Sequence, residues 1–216
     1  MFLGSYISKT SEKARLLMNG DANDSSGNSN NFTVVGATLT SDKLGRSNRA
    51  YNILNSADYL QSPNNTIDFS IPFSFIVDFK WVANQMSAER GMLISNRNGS
   101  NSGNEFFVPK ASDIFYGWKG GFGTTTNGLL GLSDGWHQAE YQYDGTDFKF
   151  YLDGDLQSTI TAAAGGGYIY FRLGNATAYA TNRQWKNDIG MTRAYQRALR
   201  DFEVKNLYLN SQLLGN

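Results

Sequence analysis

The stretch GWHQAEYQYDGTDFKFYLDG, from Gly135 to Gly154, decides the fold. After Trp136 the residues alternate: Gln138, Glu140, Gln142 and Asp144 are polar, whereas Ala139, Tyr141 and Tyr143 fall on the opposite face. Alternation with a period of two marks a half-buried antiparallel strand with one core face and one wet face. Asp144-Gly145-Thr146-Asp147 is a hairpin turn signal, and beyond it Phe148, Phe150 and Leu152 alternate with Lys149 and Tyr151. The spacing predicts paired strands over 136–144 and 148–152, then a second tight turn at Asp153-Gly154. Trp136, Phe150, Phe171 and Leu173 are expected in the core, the Trp136 ring closing one end of it.

Working outward, the same grammar recurs. Phe32 to Leu39, Ala50 to Leu54, Tyr59 to Gln61, Ser74 to Val82, Gly91 to Ser95, Glu105 to Val108, Asp113 to Trp118, Tyr168 to Gly174 and Asp188 to Tyr195 are short aromatic or β-branched runs separated by Gly, Asn and Asp. That is the pattern of a sandwich or jelly roll. One helix is predicted, Arg200 to Asn210, with Leu199, Phe202 and Leu207 as its apolar stripe, capping the sandwich edge. Ser11 to Met18 reads equally as a turn or two of helix or as a strand feeding the sheet. Asn19 to Asn31, Asn96 to Asn104, Gly117 to Gly131 and Ala162 to Gly167 read as loops. With no linker and no repeat, residues 1–216 are read as a single all-β domain.

Composition narrows the function. Lys plus Arg and Asp plus Glu are 19 each, divided nine and nine over residues 1–108 and ten and ten over 109–216, so no basic face for nucleic acid or anionic membrane is expected. No apolar run approaches the length of a membrane span. The absence of Cys removes disulfides, thiolate nucleophiles and Cys-ligated zinc, and the single His137 removes multi-histidine metal sites. Met1 to Arg15 lacks the apolar segment of a secretory signal, which reads as folding in a cytoplasm or as loss of a signal.

Four segments, in order, carry a resemblance: Asp24-Ser25-Ser26-Gly27-Asn28; Gly135-Trp136-His137 through Tyr143-Asp144-Gly145 to Tyr151-Leu152-Asp153-Gly154; Ile169 and Phe171 leading to Leu173-Gly174; and Tyr195-Gln196-Arg197-Ala198-Leu199 leading to Leu207-Tyr208. Over about residues 14–209 the chain resembles a laminin-G-like domain of the concanavalin A-like lectin/glucanase superfamily. The resemblance implies a two-sheet antiparallel jelly-roll sandwich with a short C-terminal helix. Where that family often has paired acidic residues before the Tyr of its last strand, this chain has Ile189-Gly190-Met191-Thr192, so a function tied to those acids is not expected.

The superfamily's glucanases use two carboxylates from one strand, at alternating positions. Here the five Glu are Glu12, Glu89, Glu105, Glu140 and Glu203, and only Glu203 has an acidic residue two positions away, Asp201, on the predicted helix. Glu140 and Asp144 share a strand face but stand about 13 Å apart by rise per residue. His137 has no nucleophile-elbow motif to partner and is read as a structural residue. The chain is therefore expected to be no enzyme and to lack glycoside hydrolase activity.

Two compatible readings remain. In a carbohydrate-binding module, sugar faces stack on aromatic rings while polar groups hold the hydroxyls. The loops supply Tyr116, Trp118 and Phe122 in one place, and Tyr179, Asn182, Arg183 and Trp185 in another, and at least one of Trp118 and Trp185 is expected to be exposed. In a bacteriophage structural protein the same jelly roll would be a virion surface or accessory component, with glycans or neighbouring subunits, itself included, as partners. A module cut from a secreted bacterial protein fits the same features. Virion surface or extracellular exposure is the location either reading implies. No cofactor is expected; Asp21, Asn23, Asp24 and Ser25 cluster hard oxygens of the kind Ca²⁺ takes, but an ordinary Asn/Asp/Ser turn accounts for them without an ion.

Overall fold

The computed structural model describes residues 11–82, 90–97, 103–109, 116–119, 122–125, 132–161, 169–176 and 183–214. In chain order these form β1 (Glu12–Leu16), β2 (Thr33–Val35), β3 (Thr38–Thr40), β4 (Ala50–Asn52), β5 (Tyr59–Gln61), β6 (Phe73–Trp81), β7 (Arg90–Ser95), β8 (Asn104–Pro109), β9 (Tyr116–Lys119), β10 (Phe122–Thr125), β11 (Gly135–Tyr143), β12 (Asp147–Leu152), β13 (Asp155–Thr161), β14 (Arg172–Leu173), β15 (Asp188–Tyr195) and α1 (Asp201–Leu214). Sheet A runs β13-β12-β11-β6-β15-β4-β3, with β1 added to β15, and sheet B runs β10-β9-β8-β7-β14-β5-β2. Every pairing is antiparallel, giving the expected two-sheet jelly roll.

The deciding hairpin forms as its alternation predicts, with Tyr141 opposite Phe150 and Tyr143 opposite Phe148. Asp153 and Gly154, at φ of 51° and 79°, make the next turn. Positive φ at both central residues is what a two-residue hairpin loop needs, and Asp-Gly supplies it. Between the sheets lies an aromatic core in which Tyr141 stacks on Phe106 at 5.2 Å and on Phe148 at 5.2 Å. Phe73, Phe75, Val77 and Phe79 of β6 enter that core, whereas Ile76 faces the other way and packs with Tyr151, Tyr195, Leu199, Val204 and Leu207. Helix α1 thus covers the outer face of sheet A. Its start is capped by Glu203, which accepts the Arg200 backbone N–H at 2.9 Å and pairs with Arg197 at 2.7 Å.

Several expectations are corrected. The run Phe32 to Leu39 is split at Gly36, and its halves enter different sheets as β2 and β3. Gly36 has φ of 68°, and a Cβ there would lie 2.1 Å from Asp58 Oδ1, so the chain turns where only glycine fits. Ser11 to Met18, open between helix and strand, takes the strand alternative as β1. The Gly-rich stretch read as a loop from Gly117 holds strands β9 and β10, because β8 offers β9 a ladder. The polar side of β11 is dry: Gln138, Glu140 and Gln142 are 3 %, 2 % and 1 % exposed beneath α1. Phe150, Phe171 and Leu173 are buried as expected, but Trp136 is only half-buried. The helix extends to Leu214 rather than Asn210.

Candidate binding face on sheet B

On β8, Phe106 and Val108 point into the core, which leaves Glu105 and Phe107 on the outer face, Phe107 packing with Met92 and Ala176. The ladders line up one row of positions across the sheet. Trp118 is opposite Glu105, Glu105 opposite Ser95, Ser95 opposite Arg172, Arg172 opposite Gln61, and Gln61 opposite Thr33. Tyr116 takes the position opposite Phe107.

Two polar groups stand on this face. Glu105 is fully buried and is met by Arg97 Nη1 at 3.1 Å and by Arg183 Nη1 at 3.8 Å. A carboxylate taken out of water needs such partners. Further along, Arg172 Nε donates to Gln61 Oε1 at 3.0 Å and its Nη1 to the Ala176 carbonyl at 3.2 Å, while the guanidinium lies 3.9 Å from the Tyr59 ring centroid. Tyr59, Gln61 and Arg172 are all half-buried, so the group reaches solvent. Asn175 holds the turn that presents Ala176, donating to the Ser56 carbonyl at 2.7 Å and accepting from Ala176 N–H at 2.8 Å. Aromatic rings beside oriented donors and acceptors can stack on a sugar and hold its hydroxyls.

The residues singled out from sequence divide. Arg183 is on this face, and Trp118 and Tyr116 are in register with it by backbone pairing. Phe122 pairs with Lys119 across the β9–β10 hairpin. Tyr179 and Asn182 lie outside the described residues. Trp185 is corrected: it is 0 % exposed, edge-on to Phe79 at 5.3 Å and 6.4 Å from Trp81, and presents no surface to a ligand. A large apolar ring gains by burial, whatever the polarity of its neighbours in sequence. Tyr59, Gln61 and Arg172 escaped the sequence reading, because only strand pairing brings β5 and β14 side by side.

The carboxylates of the Asp21 to Ser25 turn already accept hydrogen bonds from within the chain. Asp24 Oδ1 accepts the N–H groups of Arg15 at 2.9 Å and Ser26 at 2.8 Å, and its Oδ2 accepts Asn30 N–H at 3.0 Å and Ser26 O–H at 2.8 Å. Burial disfavours the Asp24 charge, but these donors outweigh it and lower the pKa. Asp21 is taken up by Asn23 N–H and side-chain amide at 3.0 and 2.8 Å. A cation would face N–H groups here, so the donor set does not fit Ca²⁺; among the described residues no group of three His, Cys, Asp or Glu could hold a metal.

A laminin G family described as the concanavalin A-like lectin/glucanases superfamily matches residues 54–205. The chain belongs to this superfamily. Among solved structures, domain 4 of an extracellular GH43 arabinanase from Geobacillus stearothermophilus, in complex with arabinotriose, is 19 % identical at TM-score 0.73, covering 92 % of this chain and 98 % of that one. The binding domain of Paraclostridial mosquitocidal protein 1 is 18 % identical at TM-score 0.70, covering 94 % and 53 %. The ligand-binding domain of botulinum neurotoxin serotype D, in complex with N-acetylneuraminic acid, is 14 % identical at TM-score 0.72, covering 95 % and 52 %. The chain thus spans about half the length of the toxin structures. At these identities the likeness establishes the concanavalin A-like fold. No curated protein matches in sequence.

Proposed function

We propose that this concanavalin A-like chain is a non-catalytic glycan-binding module whose contact surface is the outer face of sheet B. The observation that carries the reading is the half-exposed cluster of Tyr59, Gln61 and Arg172, in a ladder row that runs through the buried Ser95 and Glu105 to the position of Trp118. Complexes of the arabinanase domain with arabinotriose and of the toxin domain with N-acetylneuraminic acid support a sugar as the ligand. Catalysis is disfavoured because the β8 neighbours two positions from Glu105 are Gly103 and Phe107, so the strand offers no second carboxylate at the 5 to 5.5 Å that retaining chemistry requires. A cell-surface glycan as ligand would have the protein work outside the cell, as a secreted module or a virion component. A glycan array on the purified chain tests the reading. Saturable binding that falls at least tenfold in Trp118→Ala or Tyr59→Ala is expected, with no release of reducing ends. Binding untouched by both substitutions would move the site elsewhere, and a chain that binds no glycan would leave the face as a subunit contact.

A further inference from the structure

Resting on that reading, we infer that the sheet B face selects acidic glycans, with Arg172 as the residue that takes the sugar's carboxylate. A guanidinium has five N–H donors in a planar fork. Arg172 spends one on Gln61 Oε1 and one on the Ala176 carbonyl, and the face of the fork rests on Tyr59. These three contacts fix the plane of the group while leaving the Nη2 edge uncommitted, and no carboxylate among the described residues lies within ion-pair distance of it. The acid in the same row, Glu105, stands two ladder positions away, about 10 Å at the usual strand spacing, and is already met by Arg97 and Arg183. A positively charged fork that is oriented, half-exposed and short of an acidic partner is built for an external carboxylate, since Arg and carboxylate pair through parallel N–H···O bonds. Neutral sugars offer hydroxyls alone and would leave that charge unmatched. The Tyr59 ring beneath the fork and Gln61 beside it act as positioning residues.

The test compares matched ligands on the intact chain: oligogalacturonate against its methyl ester, and sialyllactose against lactose, by titration calorimetry at two salt concentrations. At least one acidic member is expected to bind about tenfold more tightly than its neutral counterpart, with a preference that weakens as salt rises. Arg172→Gln is expected to abolish the preference, bringing the acidic ligand's affinity down to that of its neutral counterpart. Arg172→Lys, which keeps the charge without the fork, is expected to restore it in part. Equal binding of acidic and neutral members by the unaltered chain overturns the inference while leaving glycan binding intact. A preference that survives Arg172→Gln overturns the assignment to Arg172. Failure to bind any glycan overturns this inference together with the proposed function. Because the first comparison needs no substitution, a variant that fails to fold does not remove the test.

Discussion

The Nδ1 atom of His137 lies 2.7 Å from Asp153 Oδ2, and the Nε2 atom of the same ring lies 2.9 Å from the Ser133 carbonyl oxygen. Both ring nitrogens therefore face acceptors, an arrangement that only the doubly protonated ring satisfies at both ends. Burial works against the charge, but the bonds to Asp153 and Ser133 outweigh it and raise the pKa. A folded-state pKa above the unfolded value, about 6.5, gives stability that is full below pH 6.5 and lost as pH rises through the folded value. Denaturant unfolding of the parent chain and His137→Gln between pH 5.5 and 9 is expected to show the parent losing this increment while the variant's curve stays flatter. Since the chain has one histidine, its ring resonances report the titration without ambiguity.

Glu140 presents the opposite problem. Its carboxyl is 2 % exposed beneath α1, and burial, with Glu203 and Asp201 nearby, raises its pKa well above the ordinary carboxylate range against the pull of Ser74 and Arg197. The folded state thus holds this proton more tightly than the unfolded chain. Stability from that proton is present below the unfolded pKa of about 4.3 and is lost as pH rises towards the folded value. Glu140→Gln is expected to be near neutral at pH 4 and to stabilise by about 2 kcal/mol at pH 8, the order of the cost of burying a poorly matched polar group. An identical shift at both pH values would show that the carboxyl does not titrate there.

Trp185→Ala is expected to cost about 3–5 kcal/mol, because it empties a cavity walled by Phe79 and Trp81. Trp136→Ala, at a half-buried position, is expected to cost clearly less. Thermal melts of the two variants decide the order, and the reverse order would mean the ends of the core are misassigned.

Asp24→Ala removes the acceptor for four donors that gather β1 and the turn over 21–31, and is expected to cost about 2–3 kcal/mol. Its lowered pKa makes this contribution present above the unfolded value near 3.9 and lost as pH falls through the folded value, so the variant's penalty should shrink in acid. A chelator is expected to leave the melting temperature of the parent chain unchanged. A drop on chelation would show that an ion, rather than the N–H donors, organises the turn.

The hairpin from Gly135 to Gly154 was legible because both signals on which it depends are local, a period of two and an Asp-Gly turn. What β11 would pack against on its second side was not legible. Gln138, Glu140 and Gln142 look like a wet face until α1 is laid over them. There Gln138 donates to Asp78 and Ser211 at 2.9 and 3.3 Å, and Gln142 donates to Tyr151, which donates in turn to Asp201. Polar residues under a helix are invisible to a hydrophobicity pattern when their partners come from distant segments. The candidate site divides in the same way. Trp118 and Arg183 stood out because an aromatic ring or a charge is conspicuous in a glycine- and asparagine-rich stretch. Trp185 stood out for the same reason, although its ring turns inward. Tyr59, Gln61 and Arg172 meet only through the registers of β5 and β14, which no local pattern encodes.

β1 is hydrogen-bonded along β15, and just past it the Gln196 N–H donates to the Ser11 carbonyl at 2.8 Å while Arg197 Nε donates to Ser11 Oγ at 3.0 Å. Entry to the sandwich and the approach to α1 therefore lie side by side on sheet A, and the helix itself rests on that sheet's outer surface. In a two-layer sandwich the outer surface of sheet B looks the opposite way. Any host polypeptide that carried this unit as an insert or on a stalk would grip it from behind, with the Arg172 face turned towards whatever the host approaches.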